Sequence, residues 1–153
     1  MQNDVCDLHI GETAFWNEFQ EGNFINIGMS VDADMMKLQY MHVVGKDPVY
    51  VAMQSKGGGV LDVKTQGLAP TEGYLYQGYY MTGRSVGNRM AGMNAAAVGA
   101  PWWWANTAAG ALHLLENRGP SKGSGPYRST WKYMGEIEYT GRQYEAGYNS
   151  VKR

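Results

Sequence analysis

The run NFINIGMSVD alternates with a period of two. Ile25, Ile27, Met29 and Val31 fall on one side, and Asn26, Gly28 and Ser30 fall on the other. That is the pattern of a half-buried strand. Similar short runs follow at close spacing. KLQYMHVV (Lys37 to Val44) predicts a second strand. VYVAMQ (Val49 to Gln54) predicts a third, with Val49, Val51 and Met53 on one face. VLDVKTQ (Val60 to Gln66) predicts a fourth, with Leu61 and Val63 set against Asp62 and Lys64. DADMM, GKDP and SKGGG read as the intervening turns, the second closed by Pro48. YLYQGYYM (Tyr74 to Met81) adds a tyrosine-rich fifth strand with Gly78 as a candidate bulge. Upstream, Asp4 to Ile10 reads as a short strand. Thr13 can cap a turn or two of helix that places Phe15, Trp16 and Phe19 on one face. Residues 1–84 are thus expected to form mainly an antiparallel β meander.

Between Ser85 and Asn117 the pattern changes. Gly87, Ala91, Ala95 and Gly99 recur every four residues, a ridge of small side chains along one side of a helix. Gly99-Ala100-Pro101 interrupts it, and Pro101 suits the first turn of a second helix that NRGP ends. The expectation is a close-packed helical hairpin over residues 85–117. An exposed loop over 118–130 follows. WKYMGEIEYT (Trp131 to Thr140) alternates again, with Trp131, Tyr133, Ile137 and Tyr139 opposite Lys132, Glu136 and Glu138, and predicts a final strand. The tail from Gly141 reads as a short helix or an arm. The fold expected is one α+β domain over residues 1–153: a mainly antiparallel sheet of about five to six short strands with an inserted small-residue helical hairpin.

The hairpin contains Trp102, Trp103 and Trp104 in a row. On a helix, three consecutive residues spread over roughly 200°, so the three rings cannot share one core face. Each ring has on the order of 200 Å² to cover. At least one must therefore meet another layer, a partner chain or solvent. No Asp, Glu, Lys or Arg occurs from Met90 to Leu115. The internal Asn94, Pro101, Asn106, Thr107 and His113, and the reliance on alanine and glycine, nonetheless argue against a transmembrane span.

Composition strengthens the reading of a contact surface. The net charge is -1, and charged residues make up 18%, below the roughly 25% of a soluble domain. No overall basic field points to nucleic acid. The 21 glycines in 153 residues are about twice the usual share of roughly 7%. The 11 tyrosines and 10 methionines are residue types favoured where chains meet, and Tyr79 and Tyr80 join the three tryptophans as candidate interface residues.

Cys6 is the sole cysteine, so no intrachain disulfide forms. The N-terminal MQNDVCDLHIGE carries no Lys or Arg and no apolar h-region. The expectation is residence in a reducing cytoplasm, or in a virion assembled there.

Candidate chemistry is sparse. Cys6 and His9 form half of a zinc pattern whose other half is missing, and His42 and His113 lie far apart in sequence, so no metal site or cofactor is expected. Asp32 and Asp34 supply two of the six or more oxygens that Ca²⁺ wants and read as a polar turn. Arg118, Lys122, Arg128 and Lys132 lie in a stretch without acids and without a Walker A pattern. Tyr127 and Trp131 beside these charges keep contact with nucleic acid or an acidic partner open.

The function expected is a non-enzymatic structural subunit of a homo-oligomeric or multi-protein assembly, with a virus or phage particle as its most natural host. One alternative is a small hydrolase or lyase with a site near His42, Asp34 and Cys6. Another is an aromatic-groove binding module or membrane-active protein that uses Trp102 to Trp104.

Overall fold

Asp47 and Pro48 start a helix where alternation predicts a strand. Asp47 Oδ1 accepts the Tyr50 N–H at 2.9 Å. Pro48 sits in the first turn, where its missing N–H costs nothing, and helix α1 runs Pro48–Ser55. Val51 is buried, while Val49 and Met53, its supposed face-mates, are exposed.

The computed structural model describes residues 29–30, 39–68, 73–76 and 79–151. Among these the chain is mostly helical with one small sheet, which overturns the expected sheet of five to six strands. Residues 39–43, predicted as strand, are helical, and Gln39 and Val43 are buried one turn apart. VLDVKTQ closes as a 3-10 turn, Val63–Gln66, with Thr65 Oγ1 donating to the Asp62 carbonyl at 2.7 Å. The predicted strand at Asp4 to Ile10, the helical turn near Thr13 and the Asp32–Asp34 turn lie outside the described residues.

The sheet contains β1 (Met29–Ser30), β2 (Gly73–Tyr76) and β3 (Tyr79–Thr82). β2 and β3 pair antiparallel, with Gly73 opposite Thr82 and Tyr76 opposite Tyr79. The two residues of β1 pair parallel to β2. YLYQGYYM is therefore two strands of a hairpin rather than one strand. Its candidate bulge, Gly78, lies outside the described residues.

β3 runs directly into α2, Gly83–Ala97. Thr82 Oγ1 accepts the Ser85 N–H at 3.1 Å and caps the helix. At the other end, the N–H groups of Gly99 and Ala100 return to the carbonyls of Ala96 and Ala95, with Gly99 at φ +77°. This is a Schellman motif. Gly99 ends the helix rather than extending the ridge. Pro101 is the N-cap of α3, Trp102–Glu116.

The predicted final strand is also corrected. Trp131–Tyr133 forms a 3-10 turn. Met134 (φ +53°) and Gly135 (φ +99°) then reverse the backbone, and helix α4, Glu138–Val151, follows.

Among the described residues, α2 and α4 approach each other very closely at two glycines. A Cβ built on Gly92 would lie 2.0 Å from the Tyr144 carbonyl oxygen, and one on Gly147 would lie 1.9 Å from that of Arg89. Ser85 Oγ and Tyr139 OH meet at 3.0 Å, and Arg89 Nε donates to Gln143 Oε1 at 2.7 Å. α2 and α3 are instead a splayed pair. They meet where Ala95, Ala100 and Ala105 pack with Tyr148, whose hydroxyl donates to the Ala100 carbonyl at 2.6 Å. Beyond that point Gly87 and Ala91 border a cleft. The expected close-packed hairpin is thus corrected: along the small-residue ridge Gly87 abuts Val63, Ala95 packs with Tyr148, and Ala91 borders the gap between the helices. A second cluster (Val63, Leu68, Tyr74, Tyr76, Met81, Val86 and Met90) joins the sheet to α2.

Candidate functional site

The cleft bounded by α1, α2, α3 and α4 has a volume of about 630 Å³, within the range of small-ligand sites. Its walls include Gly87, Ala91 and Ala95 of α2 and Ala108 and Ala109 of α3. These side chains are too short to fill the space. Polar groups also line it: Arg84 and Asn88 from α2, His113 and Glu116 from α3, Asn117 just beyond it, and Glu136 from the segment before α4.

His113 and Glu136 form the central pair. His113 Nδ1 lies 2.9 Å from Glu136 Oε1 and 3.2 Å from Asn117 Nδ2. Asn117 Nδ2 also donates to the His113 carbonyl at 2.9 Å, and Glu136 Oε1 accepts the Ile137 N–H at 2.8 Å. Burial pushes the Glu136 carboxyl up to about 7. The Ile137 N–H and Arg84 pull against that rise, and Glu116 adds to it. Burial also holds His113 below its usual value, helped by Arg84 and opposed by Glu116. Groups in such contact titrate as a pair. With Glu136 ionised, Nδ1–H donates to the carboxylate and the lone pair sits on Nε2. Nε2 is buried and has no hydrogen-bond partner among the described residues, and the same is true of Thr130 Oγ1.

A prediction for stability follows. Between pH 4.5 and about 7, the folded protein keeps a proton on Glu136 that the unfolded chain has lost, so the Glu136 contribution falls as pH rises through that window. The depressed His113 acts in the opposite sense, its contribution growing as pH rises towards 6.5. Glu136→Gln removes the Glu136 slope. The variant is expected to gain about 1–3 kcal/mol on the wild type in going from pH 4.5 to pH 8, measured by denaturant melts at both pH values. An offset that is equal at both would show that burial does not govern this carboxyl.

The sequence-predicted residues are dispersed. Trp102 packs its ring 5.2 Å from Tyr148 and 6.0 Å from Tyr144. Trp104 is half-buried and lines the cleft. Trp103 is 69% exposed. The three rings therefore diverge. Tyr79 and Tyr80 lie in β3, opposite Tyr76 and Leu75. Arg118, Lys122 and Arg128 are exposed, and an antiparallel bridge sets Lys122 against Arg128. His42 is exposed in the helical segment 39–43. Cys6, His9 and Asp34 lie outside the described residues. Among the described residues no three His, Cys, Asp or Glu side chains converge to hold a metal, and no helix is long and apolar enough to cross a membrane.

Sequence reasoning missed the His113–Glu136 pair. Its one signal was a histidine inside a 26-residue span without Asp, Glu, Lys or Arg. Glu136 read as part of a strand's polar face. No protein-family model matches the chain, and no curated protein or solved structure matches it either.

Proposed function

We propose that this protein is a structural subunit that works by associating with copies of itself, through the surface formed by α3 and the segment 131–135. The observation that carries this reading is the exposure of two tryptophans, Trp131 at 90% and Trp103 at 69%. The segment runs along α3: Asn106 Nδ2 donates to the Lys132 carbonyl at 2.9 Å. Further along, Gly110 abuts the Met134 carbonyl and Gly135 abuts Leu114. Trp131 and Trp103 therefore lie towards the same end of this unit, and Leu115 and Met134, both exposed, lie towards the other. Large apolar side chains grouped in this way are costly to leave in water and characteristic of interaction sites. A second copy is the occupant that best fits, because a net charge of -1 sets up little repulsion between like chains. Incorporation into a larger particle, such as a virion, is the wider setting this reading fits.

The test is mass in solution by light scattering over a range of concentrations, for the wild type and for Trp103→Ser and Trp131→Ser. Association is expected, and each substitution is expected to weaken it by about 30-fold, the effect of losing a tryptophan hot spot, with the melting curve little changed. A wild-type chain that stays monomeric at every concentration would overturn the proposal.

A further inference from the structure

The cleft contains a second, separate indication of function. We propose that it binds a small uncharged ligand through a hydroxyl group donated to Nε2 of His113. The argument begins with an unmet need. Nε2 is a buried polar atom without a partner among the described residues, on a ring that is itself 9% exposed and lines the cleft. The other ring nitrogen is already committed, to Glu136 Oε1 at 2.9 Å. An ionised carboxylate there accepts a hydrogen bond from Nδ1–H and leaves Nε2 as an acceptor, so the complementary group on a ligand is a donor.

The surrounding charges select against ions. Arg84 of α2 faces both members of the pair and opposes a cation, while Glu116 of α3 and Glu136 oppose an anion. What suits the balance is an uncharged donor, an O–H group. The rest of the wall fits a compact molecule with apolar surface. Ala109 lies one helical turn before His113, and Leu112 and Ile137 also line the space.

The same geometry makes binding depend on pH. Protonation of the Glu136–His113 pair places a hydrogen on Nε2, either by forming the imidazolium or by a Glu136 O–H donating to Nδ1. Nε2 then becomes a donor and no longer accepts. Glu136 titrates near 7, so hydroxyl binding is expected at pH 8 and lost by pH 5.5.

The experiment is imidazole ¹⁵N NMR of the full chain, with glucose, inositol and phenol as uncharged hydroxyl probes and acetate and methylammonium as charged ones. At pH 8 the His113 Nε2 signal is expected at the position of an unprotonated nitrogen. At least one hydroxyl probe is expected to shift it saturably, while neither ion does so. Ala109→Leu, which fills the cleft beside the ring, is expected to abolish that shift and leave the unprotonated signal in place. Several results would overturn the proposal: a protonated Nε2 at pH 8, no response to any hydroxyl probe, a stronger response to either ion, or an unchanged response in Ala109→Leu. A slowly exchanging water held on Nε2 in place of every probe would also overturn it, by assigning the nitrogen a structural role.

Discussion

Replacing Gly147 with alanine is expected to destabilise the protein by at least about 3 kcal/mol, a large effect for one methyl group. Helix propensity alone predicts the reverse, because alanine in place of a mid-helix glycine stabilises by about 0.5–1 kcal/mol. The difference is the neighbour. The new Cβ would lie 1.9 Å from the Arg89 carbonyl oxygen, and backbone cannot move aside as a flexible side chain can. Gly92→Ala is expected to behave alike, with its Cβ 2.0 Å from the Tyr144 carbonyl oxygen. Gly57→Ala supplies the control. Its Cβ would meet Glu116 Oε1 at an ordinary 3.9 Å, and a change within about 0.5 kcal/mol is expected. Denaturant midpoints for the three variants provide the check. Equal midpoints for Gly147→Ala and Gly57→Ala would refute the α2–α4 contact.

Trp102→Ala is expected to cost about 3 kcal/mol, whereas Trp103→Ala, one residue later, costs less than about 0.5 kcal/mol in the isolated chain. Trp102 packs on Tyr144 and Tyr148 and flanks the cluster of Ala95, Ala100 and Ala105. Removing it strips α4 of its aromatic contacts with Trp102 and leaves only the rest of that cluster to join it to the start of α3. Trp103 faces outward at 69% exposure and has little to lose on folding. Thermal melts at a protein concentration low enough to suppress association distinguish the two. Equal losses would mean that Trp103 is covered within one chain.

The misreadings of the sequence share a physical origin. Val49, Val51 and Met53 alternate, yet the Asp47 cap and Pro48 decide the local structure, and a helix with a single buried valine results. Aspartate before proline is legible as a helix start, although the same GKDP also suits a turn. In α4 the buried positions are Tyr139, Gly141, Gln143, Gly147 and Tyr148. Their spacing suits a helix, but two are glycines and one is a glutamine, so a hydropathy pattern does not mark them. The alternation of Trp131 to Tyr139 crosses Met134 and Gly135, whose positive φ values no periodicity discloses. The break at Gly99 and the divergence of the three tryptophans were legible, because backbone freedom and helical angle are local properties. The cleft was not. Small residues at every fourth position are compatible with two backbones in contact and with an open gap, and the choice depends on a partner helix far away in sequence. The pairing of His113 with Glu136 depends on that same remote arrangement.

That separation also bears on how the chain acquires its structure. The links between α2 and α4, Ser85 to Tyr139 and Arg89 to Gln143, each join residues 54 positions apart. Such contacts close a long loop before they return any stability, which slows folding relative to a bundle of neighbouring helices. At the pace of synthesis, roughly 5–20 residues per second, α4 is made roughly 3–11 seconds after α2. Throughout that interval the groove at Gly92 has no helix to receive. The nascent chain thus passes through a stage in which the seam between α2 and α4 is half built, and a chaperone that shields this groove would act before α4 emerges from the ribosome.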